Sequence, residues 1–153
     1  MVPIAHRNPP PRSNRKRGRL VHQTISATRS LPVAEVVRKI KDGLPFGELA
    51  DLQEQLGLPM ERVASLLGIA RATLQRRKEK GILDPLESDR VLRYARLLGK
   101  ATAIFGSLAP ARSWLTAPQV GLAGAIPLEF AQTETGAREV EALLTRIDYG
   151  VYA

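Results

Sequence analysis

The chain has 153 residues, a net charge of +8 at pH 7, no cysteine and two histidines, His6 and His22. The lack of cysteine excludes disulfides, zinc–thiolate sites and thiol nucleophiles, and the two histidines lie in a polar stretch without the partner residues that a metal or acid–base site needs. No apolar run is long enough to span a bilayer and no secretory signal opens the sequence. We therefore expect a cytoplasmic protein with no membrane partner, no catalytic residue, no metal ligand and no cofactor.

The positive charge is concentrated in the first 30 residues, which contain no Asp or Glu. Their basic residues are Arg7, Arg12, Arg15, Lys16, Arg17, Arg19 and Arg29. A polar, highly charged segment cannot bury enough apolar surface to fold, so residues 1–30 are predicted to form a disordered basic arm, with ordered structure beginning near Leu31. Within the arm, the stretch from Leu20 to Ser30 is ambiguous. The arm either neutralises nucleic-acid phosphates or serves only as a solvated tail.

From Pro32 onward the apolar residues recur at helical spacing. Val33, Val36, Val37 and Ile40 fall on one face of a helix, because their positions follow the order i, i+3, i+4 and i+7. Glycines mark the ends of this helix and of those that follow it. The first four predicted helices lie between Pro32 and Gly43, from about Phe46 to Gly57, between Pro59 and Gly68, and from Ala70 to Glu79.

The strongest helix start is the stretch 84–87, Asp-Pro-Leu-Glu. It combines an N-cap aspartate, a proline at the first helical position and the glutamate of a capping box, and it predicts a long helix that runs to about Phe105. Three shorter helices are predicted at Ala109–Leu115, after Pro127 and at Ala137–Ile147. No segment has a convincing strand pattern, so we predict an all-α fold with one domain over residues 31–82 and another over residues 83–153.

Residues 60–79 have the pattern of a helix-turn-helix. The small Ala64 leaves room for the second helix, Gly68 permits the turn, and Leu74 anchors the second helix so that its other face is free to enter a major groove. Arginine can pair with guanine and glutamine with adenine, whereas the remaining polar residues suit phosphates. The predicted DNA-binding residues are Arg71, Ala72, Thr73, Gln75, Arg76, Arg77 and Lys78. The alternative is an ordinary basic surface helix that follows a glycine turn.

The C-terminal half carries little net charge and no cluster of catalytic groups. Its single tryptophan, Trp114, is expected in the core. The end of the chain is unusual, because Tyr149, Val151 and Tyr152 place two aromatic residues and a valine at a terminus. Such residues either pack back on their own domain or are presented to a partner.

Taken together, residues 31–153 resemble the Xre/MbcA/ParS-type antitoxins, which are partners of RES-domain toxins. The matching residues are the segment 68–78, the segment 87–90, Ala101, Phe105, Gly106, Trp114, Leu115, Pro127, Leu128, Gly136, Val140, Leu143, Ile147, Tyr149 and Gly150. The order and spacing of these pieces carry the resemblance, and the basic arm has no part in it.

The resemblance implies two activities. The N-terminal domain would bind operator DNA as a homodimer and repress its own operon. The C-terminal domain would bind a cognate RES toxin, which depletes NAD, and would block the toxin's active-site cleft. The residues expected to bind the toxin are Arg146, Tyr149, Gly150, Val151 and Tyr152. The alternatives are a helix-turn-helix transcriptional regulator whose C-terminal half dimerises or senses a ligand, and a nucleic-acid enzyme, which would need a carboxylate cluster that the sequence does not offer.

Overall fold

Several helices of the structure begin after a proline or end at a glycine, as the sequence pattern predicts. The structure, a computed structural model, describes residues 19–26 and 31–150. The described helices are α1 (Arg19–Ser26), α2 (Val33–Asp42), α3 (Phe46–Leu56), α4 (Met60–Leu66), α5 (Arg71–Lys80), α6 (Pro85–Phe105), α7 (Leu108–Thr116), α8 (Pro127–Phe130) and α9 (Glu134–Asp148), with a short 3-10 turn at Val120–Leu122. The prediction of an all-α fold is confirmed. None of these helices is long and apolar enough to cross a membrane.

The capping box predicted at the start of α6 is present. The side chain of Asp84 accepts a hydrogen bond from the backbone N–H of Glu87 at 2.7 Å, and the Glu87 carboxylate accepts one from the N–H of Asp84 at 2.9 Å. The last helix begins three residues earlier than predicted, because Thr133 caps it by accepting the N–H of Gly136 at 3.0 Å. Side-chain caps of this kind satisfy donors that the helix itself leaves unpaired.

Helix α6 is the central element of the protein. It packs against α1, α2 and α3, which precede it in the chain, and against α7 and α9, which follow it. Its buried face includes Val91, Ala95 and Leu98, and these residues belong to one continuous apolar cluster that extends from Leu20 to Leu144. Helix α6 contributes to the core of both halves of the chain. The domain boundary expected at residue 82 therefore stays a prediction.

Two polar side chains of α6 join the halves of the chain. The hydroxyl of the buried Tyr94 lies 3.0 Å from the carbonyl oxygen of Leu128 in α8 and 3.3 Å from that of Leu66 in α4. Burial raises the pKa of Tyr94 to about 12. The buried Arg93 donates to the carbonyl oxygen of Gln132 at 3.1 Å and pairs with Glu134 at 3.2 Å, which holds the start of α9 on α6.

Ordered structure begins before Leu31, so the expected start of the ordered region was wrong. Helix α1 packs on α6, with Leu20 and Val21 buried in the core. It comes close to α6 at Gly99, where an added Cβ would lie 3.0 Å from the backbone of Ile25. The prediction failed here because eight residues of mixed polarity form a helix only when a partner surface covers them. The arm residues 1–18 and 27–30 lie outside the described part of the chain.

Trp114 is half-buried and packs against the apolar cluster, with its ring centroid 5.8 Å from that of Phe105. This position agrees with the expected place of the tryptophan in the core.

Candidate functional site

The turn between α4 and α5 has the geometry that a helix-turn-helix requires. Gly68 has a φ of 69°, and the backbone N–H of the buried Ile69 donates to the carbonyl oxygen of Ala64 at 2.8 Å. Arg90 of α6 donates to the carbonyl oxygen of Leu67 at 2.9 Å. The turn is therefore fixed both by its own backbone and by the central helix, so that α5 has a defined direction.

Helix α5 is held by few apolar contacts. None of its residues is fully buried, and Leu74 alone among them packs against the apolar cluster. The exposed side chains include most of the predicted DNA-binding residues, namely Arg71, Ala72, Gln75, Arg76 and Lys78, together with Lys80. Thr73 is half-buried and accepts a hydrogen bond from Arg76 at 3.1 Å, and Gln75 donates to Glu79 at 3.2 Å. An exposed helix of this kind presents cations and amides to a polyanion.

Arg77 differs from its neighbours on α5. Its guanidinium pairs with Glu87 at 2.7 Å and with Asp84 at 3.3 Å, so that it joins α5 to the capping box of α6. The hydrogen bond to Glu87 raises the pKa of Arg77. The structure thus gives this side chain a partner inside the protein that the sequence did not indicate.

The end of α9 displays part of the second predicted site. Tyr149 is 78% exposed, and Gly150 follows it with a φ of 71°. Arg146 is half-buried, and its Nε has no hydrogen-bond partner among the described residues. These three residues come together at the end of the helix, whereas Val151 and Tyr152 lie outside the part of the chain that the structure describes.

A feature that the sequence did not reveal lies between α7 and α8. Val120 is 93% exposed, although the turn that carries it is held tightly by backbone hydrogen bonds from Leu122 and Gly124 to the carbonyl oxygen of Gln119 at 3.1 and 2.9 Å. Gly121 packs so closely against the side chain of Leu143 in α9 that a Cβ at position 121 would overlap it. In the sequence, the glycines between α7 and α8 indicated only a connecting segment.

The described ranges, 19–26 and 31–150, contain no group of three or more His, Cys, Asp or Glu side chains arranged to hold a metal ion.

Comparison with known proteins assigns both halves of the chain. Residues 35–96 match the antitoxin Xre-like helix-turn-helix domain, and residues 100–150 match the antitoxin Xre/MbcA/ParS C-terminal toxin-binding domain. The chain is 34% identical over 120 residues to an antitoxin Xre of Pseudomonas putida, covering 76% of this chain and 72% of that protein. It is 31% identical over 120 residues to an antitoxin Xre of Yersinia enterocolitica, covering 77% and 81%.

The chain belongs to the Xre/MbcA/ParS family of antitoxins. As a member of this family, the antitoxin combines a helix-turn-helix with a C-terminal toxin-binding domain, and it is not an enzyme. The helix-turn-helix match ends at residue 96, inside α6, in keeping with the central position of that helix.

Proposed function

We propose that this antitoxin neutralises an NAD-depleting RES-type toxin by placing the end of α9, and the residues that follow it, in the toxin's active-site cleft. The observation that carries the proposal is the exposure of Tyr149 at the end of a helix whose opposite face is buried. A tyrosine has few rotatable bonds, so ordering it in a cleft costs little side-chain entropy.

The part of α9 that precedes Tyr149 is packed firmly on the core, which favours insertion without rearrangement. Val140 and Leu144 are fully buried against the core, and Lys100 of α6 donates to the hydroxyl of Thr145 at 2.5 Å. A preorganised binding element loses less entropy on association than a mobile one. Arg146, one turn before Tyr149, adds a guanidinium that suits a carboxylate or a phosphate in the partner.

The antitoxin also represses its own operon, in this proposal, by binding operator DNA through α5. The support is the set of exposed basic and amide side chains on α5, among them Arg71, Gln75 and Lys78. In this proposal Arg71 and Gln75 read base edges and Lys78 contacts phosphates. Two copies of the chain would present two such helices to half-sites one helical turn apart, about 34 Å. We omit Arg77 from the DNA-contacting set, because its charge is already paired within the protein.

The test of neutralisation is a truncation that removes residues 149–153. The two described residues that it removes, Tyr149 and Gly150, are exposed, so the thermal midpoint should stay close to that of the full chain. We expect the truncated protein to lose rescue of cells that express the RES-like product of a neighbouring gene. Arg138→Ala, an exposed position on the same helix, serves as the matched control and should rescue fully. Full rescue by the truncated protein would refute the occlusion mechanism, and failure of the full chain to bind that product would refute the assigned toxin.

A further inference from the structure

The turn between α7 and α8, residues 118–124, holds an apolar side chain out to solvent on a fixed backbone. We call it the Val120 turn. Val120 is 93% exposed, whereas Leu122 is buried in the core. The N–H of Gln119 donates to the carbonyl oxygen of Ala125 at 3.1 Å, and the side chain of Gln119 donates to that of Trp114 at 2.9 Å. The position of Val120 is therefore defined by the fold.

The backbone of the Val120 turn is strained at Ala123. With a φ of 54°, Ala123 is the one non-glycine residue of positive φ in the ranges 19–26 and 31–150. This left-handed region disfavours a residue that has a Cβ, and such a residue persists only where its surroundings hold it. Here the N–H of Ala123 donates to the carbonyl oxygen of Val120 at 3.0 Å. A strained shape that the fold maintains at the surface points to a use for that shape.

The surface around Val120 carries no charge. The sequence from Ser113 to Leu128 contains no Asp, Glu, Lys or Arg, although 25% of the chain is charged. The other exposed positions of the turn have no polar side chain, and they are Pro118, Gly121, Ala123 and Gly124. Nucleic acid is bound through cations, which this surface lacks, whereas the centre of a protein–protein interface is depleted of charged residues. The surface therefore suits a protein partner.

The Val120 turn packs on α9 close to its end. A Cβ at Gly121 would lie 2.7 Å from Cδ1 of Leu143. Arg146 is three residues after Leu143 and so lies on the same side of the helix. Tyr149 is six residues after Leu143, a rise of about 9 Å. Adding the reach of the Leu143 side chain and one backbone step places Val120 within roughly 20 Å of Tyr149.

A single partner surface is large enough to cover both features. A standard interface buries about 800 Å² on each partner, which is a patch roughly 30 Å across. The part of the chain that matches the toxin-binding domain, residues 100–150, includes the Val120 turn as well as the end of α9. The turn is therefore continuous with the surface that binds the toxin.

We propose that Val120 forms a second contact with the toxin, in which an apolar depression beside the toxin's active-site cleft receives the Val120 side chain while the end of α9 enters the cleft. The inference rests on the proposed neutralisation of a RES-type toxin by the end of α9. The Val120 turn contributes affinity, and the end of α9 blocks the cleft. Because the turn is already rigid, it loses little entropy on binding.

The experiment measures, by titration calorimetry, the dissociation constant of the full antitoxin for the purified RES-like product of the neighbouring gene. Val120→Ala removes two methyl groups that the complex would bury and should weaken binding about tenfold. Val120→Asp places a charge in the apolar contact and should weaken binding about a hundredfold or more. Val33→Asp is the matched control, because Val33 is 79% exposed and lies outside the toxin-binding domain. Equal affinities of Val120→Asp and Val33→Asp overturn the proposal.

A second measurement separates a contact from a structural role. Since Val120 is exposed, both of its variants should keep the native thermal midpoint, and if Val120→Asp does not, the uncharged Val120→Ala decides. The turn acts outside the cleft, so saturating Val120→Asp should still inhibit NAD consumption by the toxin completely. Incomplete inhibition at saturation would show that the substitution disturbs the end of α9, and it would overturn the role of Val120 in affinity alone.

The failures of the two proposals are distinguishable. The chain without residues 149–153 keeps the Val120 turn, so it should still bind the toxin without inhibiting it, and Val120→Asp in that chain should remove the binding. If the truncation abolishes rescue while Val120→Asp binds as tightly as the native chain, only this inference falls. If the truncated chain rescues fully while Val120→Asp weakens binding, the occlusion mechanism falls and the contact at Val120 stands. If the native chain does not bind the product, both fall.

A second copy of this chain is the other protein that could cover the Val120 turn. Sedimentation of the free Val120→Asp protein should give the same oligomeric state as that of the native chain. A smaller assembly, together with an unchanged affinity for the toxin, would assign the turn to a contact between copies and overturn the proposal.

Discussion

The Nε of Arg77 lies 2.7 Å from the Oε1 of Glu87, and the same glutamate oxygen accepts the backbone N–H of Asp84 at 2.9 Å. One carboxylate thus closes the capping box of α6 and holds the last turns of α5. Because α5 has few apolar contacts of its own, this ion pair is a principal link between the proposed recognition helix and the central helix. It adds to the contacts that orient α5, which include the turn after α4 and the packing of Leu74.

We predict that Arg77→Ala weakens DNA binding without changing its salt dependence. The substitution removes a positioning contact and leaves the buried Glu87 without its cationic partner, so affinity and thermal midpoint should both fall, affinity by several-fold. Lys78→Ala, at the exposed neighbouring position, should instead lower the salt slope by about 1. Glu87→Gln should reproduce the effect of Arg77→Ala, because Glu87 is buried within the protein and cannot contact DNA itself. A slope reduced equally by Arg77→Ala and Lys78→Ala would show that Arg77 contacts phosphate.

We predict that Arg71→Ala and Arg76→Ala each weaken operator binding by about tenfold to a hundredfold, the loss expected when one arginine–base contact is removed. Both side chains are exposed, so the thermal midpoint should not change. Fluorescence anisotropy with a duplex that covers the promoter region of the antitoxin's own gene, and with a scrambled duplex, gives the sequence-specific part of the effect. Equal losses on the two duplexes would contradict base contact and assign these arginines to the backbone.

We predict that Gly136→Ala destabilises the C-terminal half by about 3 kcal/mol or more. A Cβ at this position would overlap the carbonyl oxygen of Phe130, and Thr133, which caps α9, is also within contact distance. Relief of the overlap requires the start of α9 to move, so toxin binding should weaken as well. Thr135→Ala, at the exposed preceding position, is the control in a denaturant titration. If Gly136→Ala were as stable as Thr135→Ala, the close packing of α8 on α9 would be contradicted.

The sequence was sufficient for features that depend on neighbouring residues. The capping box of Asp84 and Glu87 and the glycine turn after α4 arise from residues only a few positions apart, so their patterns can be recognised directly. Other features depend on residues distant in the chain. The N–H groups of Leu20 and Val21 find their acceptor 28 and 27 residues away on Glu48, and no local pattern indicates that contact. The ion pair of Arg77 was not predicted for the same reason, because its partner, Glu87, belongs to the next helix.

Glu48, a buried residue in the first turn of α3, makes the stability of the protein depend on pH. Burial raises the pKa of Glu48 above 4.5, the nearby Asp51 adds to the increase, and the N–H groups of Leu20 and Val21 together with His22 oppose it. A raised pKa means that the folded protein holds this proton more tightly than the unfolded chain. The contribution of Glu48 is therefore fully present below pH 4.5 and is lost as the pH rises through the raised pKa.

Glu48→Gln removes this titration and leaves the other carboxylates in place. The free energy of unfolding of the native chain, minus that of Glu48→Gln, should therefore decrease as the pH rises from below 4.5 towards neutrality. Urea titrations of both proteins at a series of pH values measure the difference directly. Asp51→Asn is the matched control, and because it removes a nearby negative charge it should shift the decrease to lower pH. A difference that increases over this range would mean that the hydrogen bonds to α1 outweigh burial and that the pKa of Glu48 is lowered.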